Sequence, residues 1–259
     1  YGGKSLALFI YGTCSLVKMN KACNYCSIQQ NRSINKEFDL VIKPDQLEAS
    51  LKLAIENLPE DVNQIMLNGG NFDDLDKNFL YYLDLAKRTV RLAKQSNKNL
   101  EVHLIVYPPK SLSLLNELEG SEIKISMNTE IYDKNLFEKY CPGKKIIAGQ
   151  QHTFKALKEA AKILGEGNVH SILVGGLESI GSLQEGIEHL ASLKVTPVVN
   201  IFHPDPGTPL ENHPSPSAEY IKAAGKILQK TYEKNGFMHP FYYGCGRNSI
   251  DTEAYLKLF

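Results

Sequence analysis

Apolar and polar positions form a repeated two-part pattern along the chain. Short segments rich in Val, Ile and Leu, typical of buried β-strands, span residues 4–12, 62–70, 100–109, 122–130, 169–178 and 196–206. Longer segments with apolar residues at helical spacing lie between or after them, at 44–58, 76–95, 133–140, 153–167, 182–194 and 215–236. This succession of strand and helix predicts parallel strands joined by helical crossovers.

The number of strand–helix units indicates the architecture. Six clear units predict an α/β fold, and they favour a complete or partial (βα) barrel over an open doubly wound sheet. The open sheet stays as the alternative, because periodicity does not reveal whether a sheet closes. No linker rich in Pro, Gly or Ser divides the chain. Residues 1–259 are therefore expected to form one domain, with a core of about 4–235 and a tail, 236–259, that covers one end.

Several residues with functional chemistry directly follow predicted strands. They are Cys14, the pair Gly69–Gly70, Glu130, Glu178 and the segment HPDPGTP (203–209). In a (βα) barrel the active site is built at the C-terminal ends of the strands. The sequence therefore predicts a functional site at that end of the barrel.

Composition and charge disfavour several classes of partner. Among 259 residues, Lys and Arg together number 29 and so do Asp and Glu, so no strong field favours nucleic acid or an acidic lipid surface. No apolar run approaches the roughly 20 residues of a membrane span, and the first residues lack the basic segment and cleavage site of a secretory leader. These features predict a soluble, cytoplasmic protein that binds neither nucleic acid nor membranes.

Three of the five cysteines, Cys14, Cys23 and Cys26, lie within thirteen residues. An odd count with such clustering indicates thiol ligands for a metal in a reducing compartment. A structural zinc site needs a fourth ligand, and the first 102 residues contain no His, so Cys141, Cys245 or a later histidine would have to supply it. Three thiolates alone suit an iron–sulfur cluster that keeps one iron open.

The segment CNYC (23–26) resembles the cluster loop of the radical S-adenosylmethionine (SAM) superfamily, in which an aromatic residue precedes the last cysteine. The resemblance implies a [4Fe–4S] cluster on Cys14, Cys23 and Cys26, with SAM on the fourth iron and Tyr25 beside the adenine. The family usually has three residues between the first two cysteines, whereas this chain has eight. Met19 stands at the usual first position and cannot replace a thiolate, which leaves Cys14.

The eight inserted residues, SLVKMNKA (15–22), are expected to bulge outward so that Cys14 still reaches the cluster. They include Lys18 and Lys21. Positive charge beside a thiol lowers its pKa, so the sequence predicts cysteines with a low pKa that load a cluster readily.

Two further segments resemble motifs of the same superfamily. NGGN (68–71) resembles its Gly-Gly-Glu motif, with Asn71 in place of the Glu. The resemblance implies that backbone carbonyls of Gly69 and Gly70 accept hydrogen bonds from the ammonium group of the SAM methionine. SMNTEIYDKNLFEKYCPGK (126–144) resembles its fourth-strand segment, which implies that Glu130 faces the ribose or amino acid part of SAM. The alternative for Glu130 is a helix-capping carboxylate.

The last two strands carry weaker motifs in the expected order. SILVGGLE (171–178) resembles a fifth-strand pattern and implies that Glu178 lies near the adenine. VVNIFHPDPGTPL (198–210) resembles a sixth-strand segment and implies that Asn200 and His203 bind the cofactor. Some relatives bind the SAM carboxylate through an Arg after the fourth strand. None is found here, so Lys144, Lys155 or a water is expected to substitute.

The resemblance implies an enzyme that reductively cleaves SAM to a 5′-deoxyadenosyl radical, which abstracts hydrogen from a substrate. The motifs are most similar to the biotin-synthase-like branch, which includes HydE, methylornithine synthase and HmdB, linked to the [Fe]-hydrogenase cofactor. This branch implies a small-molecule substrate, cofactor or metabolite biosynthesis, and an electron donor such as ferredoxin or flavodoxin. Tyr107, Asn128, Asn200 and His203 are expected to line the barrel lumen. A non-catalytic metal-binding or scaffold protein is the alternative.

Overall fold

The computed structural model describes residues 3–36, 39–237, 241 and 248–259. Its six strands are all parallel and lie side by side in chain order. They are β1 (Ser5–Phe9), β2 (Gln64–Asn68), β3 (Glu101–Ile105), β4 (Ile123–Ser126), β5 (Val169–Gly175) and β6 (Thr196–Ile201). Each lies within one of the six segments predicted from the sequence, so the strand predictions are confirmed.

The order of the strands decides between the two architectures. In a doubly wound sheet the strand order reverses at a switch point, and helices cover both faces. Here the order is β1-β2-β3-β4-β5-β6 without reversal, so the doubly wound alternative is wrong. Within the described strands, β1 and β6 form the two edges of the sheet and do not pair. The prediction of a (βα) barrel is confirmed in its partial form.

The described helices differ in how well the sequence predicted them. They are α1 (Ser15–Lys18), α2 (Ile28–Ile34), α3 (Pro44–Asn57), α4 (Leu75–Gln95), α5 (Lys134–Tyr140), α6 (Pro142–Ile147), α7 (Gln150–Leu164), α8 (Ile180–Ser192), α9 (Ala218–Asn235) and α10 (Asp251–Tyr255). The short helices α1, α2, α6 and α10 were not predicted, because one or two turns do not establish a helical period. Between β3 and β4 the chain forms a 3₁₀ helix, Leu112–Leu118. No helix in the described ranges is long and apolar enough to cross a membrane.

Side chains alternate between the two faces of the sheet, as the pleat requires. On the outer face, Ile65, Leu67, Val102, Leu104, Ile125, Leu173 and Val199 pack under the helices in the main core. On the inner face, Ala7, Met66, Ile105, Ile172 and Val198 pack together in the middle of the lumen. This apolar layer separates the lower part of the lumen from the C-terminal ends of the strands, where cavities remain.

Part of the tail lies in the lower lumen and at an edge of the sheet. The Phe241 ring packs against His103 and His170, with ring centroids 5.0 Å apart in both pairs. Its carbonyl accepts a hydrogen bond from the side chain of Gln64 at 2.6 Å. Residues 248–250 pair with the free edge of β6 in antiparallel fashion.

Candidate functional site

Cys14 lies between the end of β1 and the start of α1. The chain passes so close to the end of β2 that a Cβ on Gly70 would come 1.7 Å from the carbonyl oxygen of Thr13. The Ser15 N–H donates to the Asn71 carbonyl at 2.8 Å, and the Asn71 N–H donates to the Cys14 sulfur at 3.4 Å. The Gly-Gly-Asn segment therefore positions the first cysteine.

The inserted residues between Cys14 and Cys23 pack against α6. The Leu16 side chain is buried, and a Cβ on Gly143 would lie 2.8 Å from one of its methyl carbons. The Gly143 N–H donates to the Lys21 carbonyl at 3.0 Å. Met19 is 43% exposed, so one side of the insertion faces solvent. These contacts hold both ends of the insertion in place.

All three cysteines predicted as ligands line one cavity of about 160 Å³ at the C-terminal ends of the strands. Its other walls come from four separate segments of the chain and include Tyr25, Gly69, Gly70, Asn71, Tyr107, Asn128, Glu130 and Lys144. The fold thus brings together the cysteine segment, the Gly-Gly segment and the residues that follow β3 and β4.

The chemistry of this cavity suits an iron–sulfur cluster. Cysteine thiolates are the ligands that such clusters take. Within the described residues, no three His, Cys, Asp or Glu side chains converge so as to hold a single metal ion. A four-iron cluster is larger than one ion and keeps its thiolates farther apart. Three thiols around one cavity match the ligands that an iron–sulfur cluster takes.

The expectation that these thiols have a low pKa is wrong. Burial raises the pKa of Cys14, and burial raises the pKa of Cys26 to about 12. A hydrogen bond with Cys141, together with burial, raises the pKa of Cys23. The two lysines of the insertion are exposed, where water screens their charge. Metal binding here must displace thiol protons.

The backbone at Glu130 adopts a conformation that few residues other than glycine occupy. Its φ is 69°, in the left-handed region. Both of its backbone groups are held by β5, since its N–H donates to the Ile172 carbonyl at 2.9 Å and its carbonyl accepts from the Val174 N–H at 2.6 Å. These bonds turn the buried Glu130 side chain toward the cavity that it lines.

The Glu130 carboxylate forms an ion pair with Lys144, and 12% of each side chain is exposed. Burial opposes the charge on Lys144, but the adjacent carboxylate raises the pKa of Lys144 above its ordinary value. The Tyr25 hydroxyl donates to the same carboxylate at 2.9 Å. The capping alternative for Glu130 is wrong, because Asp133 caps α5. Of the two candidate lysines, Lys144 lines the cavity and Lys155 is exposed on α7.

Glu178 lies apart from the other predicted site residues. It does not line this cavity or a second cavity that adjoins it. Its carboxylate accepts hydrogen bonds from the backbone N–H groups of Tyr132 and Asp133 and from the Ser182 hydroxyl, at 2.6 to 3.2 Å. These donors satisfy the buried charge. In this structure Glu178 therefore fixes the segment before α5 to the start of α8.

A second cavity of about 370 Å³ adjoins the first. The two share a wall that includes Tyr25, Cys26, Gly69, Asn128 and Glu130. Asn200 and His203 line the second cavity, and its apolar wall includes Phe9, Ile105, Ile172, Val174 and Phe202. Four residues were predicted to line the lumen, and each borders at least one of these two cavities: Tyr107, Asn128, Asn200 and His203.

Carboxamide groups supply much of the polar surface of the second cavity. The Oδ1 atoms of Asn68 and Asn200 are buried and have no hydrogen-bond partner among the residues that the structure describes. Asn128 accepts a hydrogen bond from the Ser126 hydroxyl at 2.6 Å. Buried carbonyl oxygens without donors are costly, so a bound molecule or water that donates hydrogen bonds is favoured here.

The structure brings two residues to the site region, Asn68 and Cys141, whose places there the sequence did not predict. Asn68 ends β2 and opens the NGGN segment, but the motif assigned no role to its side chain. Cys141 was considered only as a distant ligand, yet it packs in one apolar cluster with Cys23, and its sulfur lies 3.4 Å from the Tyr25 hydroxyl oxygen. Strand alternation was the one available signal for Asn68, and no local signal existed for Cys141. Cys245 lies outside the described residues.

Comparison with known proteins gives one curated relative and several solved structures. No protein-family model matches the chain. The chain is 26% identical over 157 residues to bacteriochlorophyllide c C-7(1)-hydroxylase from Chlorobaculum limnaeum, a match that covers 60% of this chain and 39% of that protein.

The structural similarity extends over most of this chain. A radical SAM methyltransferase from Sphaerobacter thermophilus matches with a TM-score of 0.64 and 15% identity, over 88% of this chain and 63% of that one. Streptococcus suis SuiB bound to S-adenosylmethionine matches with a TM-score of 0.62 and 12% identity, over 90% of this chain and 48% of that one. This chain spans less than two thirds of the length of each of these proteins. It has the partial (βα) barrel fold found in these two solved structures.

Proposed function

We propose that this chain is a radical SAM enzyme that holds a [4Fe–4S] cluster on Cys14, Cys23 and Cys26. The observation that carries the proposal is the convergence of these three thiols and the Gly-Gly segment on one cavity at the C-terminal ends of the barrel strands. Two similar structures support it, because one is described as a radical SAM methyltransferase and the other binds S-adenosylmethionine.

The residues around the first cavity match the polar groups of SAM. When bound, the cluster and SAM supply a 5′-deoxyadenosyl radical that abstracts a hydrogen atom from the substrate. The Lys144 ammonium is the buried cation suited to the SAM carboxylate, and the Glu130 carboxylate is suited to the SAM ammonium or ribose hydroxyls. The close approach of Gly69 and Gly70 to the cysteine segment leaves backbone groups, not side chains, at this wall. Tyr25, fixed by its bond to Glu130, adds a flat apolar surface.

The substrate in this proposal is a small polar molecule without net negative charge. The described charged side chains that line the second cavity are Glu130, His203 and Asp205; two of the three are carboxylates, which disfavour an anionic substrate. The Oδ1 atoms of Asn68 and Asn200, which accept no hydrogen bond within the described part of the chain, favour a substrate with hydrogen-bond donors. Apolar side chains on the remaining walls exclude water from the reacting carbon.

We also propose a more specific role, in cofactor or metabolite biosynthesis, as in the biotin-synthase-like branch. Within that branch, HmdB is the protein proposed as most similar. A cavity of about 370 Å³ supports it, because this volume lies at the lower end of the range for small-molecule sites. An acidic electron donor such as ferredoxin or flavodoxin is the proposed partner. The exposed Lys18 and Lys21 beside the cysteines support that choice.

Anaerobic reconstitution with iron and sulfide tests the proposal. The chain should bind about four irons and form 5′-deoxyadenosine from SAM under dithionite. A crystal grown with SAM should then place its 5′ carbon at the shared wall, facing the second cavity. Tightly bound zinc without iron uptake, or a cluster that never cleaves SAM, would instead favour the non-catalytic metal-binding protein.

A further inference from the structure

The second cavity differs from the first in the charged groups of its wall. Lys144 lines the first cavity, whereas neither Lys nor Arg lines the second among the residues that the structure describes. The charged side chains of the second cavity are Glu130, His203 and Asp205. Glu130 already pairs with Lys144, but within the described ranges Asp205 pairs with neither a Lys nor an Arg. Asp205 is therefore the carboxylate of this wall that can still bind a cation.

The backbone fixes Asp205 at the rim of the second cavity. Its carbonyl accepts hydrogen bonds from the Thr208 N–H at 3.2 Å and from the Thr208 hydroxyl at 2.7 Å. The Thr208 side chain is buried, so these bonds anchor the turn that follows β6. The Asp205 side chain borders the cavity and is 27% exposed. Its carboxylate therefore stays partly hydrated while it faces a bound molecule.

One oxygen of the Asp205 carboxylate is available to a bound molecule. The Nδ1 atom of His203 lies 2.9 Å from the Oδ1 atom of Asp205. No hydrogen bond reaches the other oxygen, Oδ2, from any residue in the described part of the chain. A carboxylate oxygen that borders a cavity and lacks a donor is placed to accept a hydrogen bond from a ligand.

Carboxamide oxygens add further acceptors to the same cavity. The Oδ1 atoms of Asn68 and Asn200 accept no hydrogen bond from the described residues. Asn248 also lines the cavity, and its side-chain nitrogen donates to the Ile201 carbonyl at 3.0 Å, which leaves its oxygen as an acceptor. An ammonium group carries three donors and no acceptor. It therefore suits a wall that combines a carboxylate with such oxygens.

The apolar part of the cavity lies deeper than Asp205. Ile105 and Ile172 line the cavity and belong to the apolar layer in the middle of the lumen. Asp205 follows β6 at the rim. Burial of a charged group in apolar surroundings is costly unless the group is paired. A molecule with one charged end is therefore expected to place that end at the rim and its carbon skeleton in the lumen.

We infer that the substrate is a primary amine with an otherwise apolar skeleton, and that Asp205 binds its ammonium group. The inference rests on the proposed function and names the substrate class of the same site. An alkylamine keeps its proton up to about pH 10, and a charge-assisted hydrogen bond is roughly twice as strong as a neutral one. An alcohol lacks this charge, and a carboxylate is repelled. Asp205 is thus a specificity-determining residue.

Three probes that share one carbon ring test the inference. Cyclohexylamine, cyclohexanol and cyclohexanecarboxylate differ only in the polar group. Their binding to the reconstituted full chain is measured by isothermal titration calorimetry, with SAM present and without a reductant. The parent chain is compared with Asp205→Asn, which removes the charge, and with the control Asp61→Asn. Asp61 is exposed and precedes β2, at the other end of the strands. Iron content and circular dichroism check each protein.

The parent chain should bind cyclohexylamine about tenfold more tightly than cyclohexanol and should not bind the carboxylate. Asp205→Asn should bind the amine and the alcohol equally, whereas Asp61→Asn should keep the preference of the parent. If Asp205→Asn does not fold, Asp205→Ser carries the same expectation. The inference is overturned if the parent does not bind cyclohexylamine or binds it no better than either other probe. A preference for the amine that persists in a folded Asp205 variant also overturns it.

The two hypotheses fail in different measurements. The proposed function fails if the parent chain with its cluster forms no 5′-deoxyadenosine from SAM. The amine inference fails in the calorimetry, which needs no cleavage of SAM. The walls of the second cavity belong to the chain itself, so the same titrations on the chain without a cluster separate the two outcomes.

Discussion

Gly70→Ala should displace the first cysteine of the site. A Cβ at this position would lie 1.7 Å from the Thr13 oxygen, 2.6 Å from the Thr13 carbonyl carbon and 2.8 Å from the Cys14 Cα. Real Cβ atoms stay at least 3.0 Å from such atoms, so the oxygen must move by about 1.3 Å, the difference between 3.0 and 1.7. All three neighbours are backbone atoms. No rotation of a side chain relieves the contact, and the segment that carries Cys14 must shift.

The magnitude follows from overpacking. Forcing extra atoms into a packed site costs about 1–3 kcal/mol, which corresponds to a fall in Tm of about 3–9 °C for a chain of this size. The larger effect should be on metal binding. A metal site needs its ligand distances to within about 0.2 Å, and a shift of about 1 Å in Cys14 exceeds this. We therefore expect Gly70→Ala to retain less than half of the iron of the parent chain after reconstitution.

Gly181→Ala is the matched control. Its Cβ would lie 3.9 Å from the Ser179 hydroxyl oxygen, which is ordinary contact, and it lies in the first turn of α8. This variant should keep the iron content and the Tm of the parent. Both variants are compared by differential scanning calorimetry and by iron analysis. If Gly70→Ala matches Gly181→Ala in both measurements, the close approach of β2 to the cysteine segment does not position Cys14.

Three further predictions concern ligation, charge and pH. Cys14→Ala should abolish the four-iron cluster and SAM cleavage without lowering the Tm, because the thiol lies outside the strands of the barrel; retained SAM cleavage would mean that another residue supplies the third ligand. Lys144→Met should lower the free energy of unfolding by about 3 kcal/mol, because it leaves the buried Glu130 carboxylate without its cation. Lys145→Met breaks an exposed pair with Glu138, where water screens the charges, and should change the free energy of unfolding much less. Equal effects of the two variants in urea unfolding would contradict this. Burial, and next the nearby His103, lower the pKa of His170 well below the ordinary value for histidine of 6.5. The unfolded chain therefore binds one proton more than the folded chain below about pH 6.5, so the free energy of unfolding falls between pH 7.5 and pH 5.5. His170→Phe should reduce this fall by about 1.4 kcal/mol, measured by urea unfolding at the two pH values.

The raised pKa of the cysteines changes how the site is understood. The sequence places Lys18 and Lys21 near the thiols, but both lysines project into solvent. Burial dominates over distant, screened charge, so the folded chain without metal holds neutral thiols. Neutral thiols repel one another less than thiolates do, which allows three of them to line one small cavity.

The sequence alone determined the strand and helix pattern and therefore the succession of parallel strands. Burial on both faces of a parallel sheet produces apolar runs that are visible without a structure. Long helices such as α4 show their stripe over several turns, whereas α1 and α6 are too short to do so. The sequence also located the cysteine segment and the Gly-Gly segment, because both follow strand ends and the C-terminal ends of parallel strands meet at one edge.

Closure and long-range contacts were decided only by the tertiary structure. Whether β1 meets β6 depends on the curvature of the sheet, which no local pattern encodes. Lys144 and Cys141 reach the cysteine segment because the chain after β4 turns at Glu130 and folds α5 and α6 over the cavity. Glu178 matched a sequence motif, but packing directs its carboxylate to the backbone before α5. The type and spacing of residues determine which chemistry is available, and side-chain direction in three dimensions determines which residues take part in it.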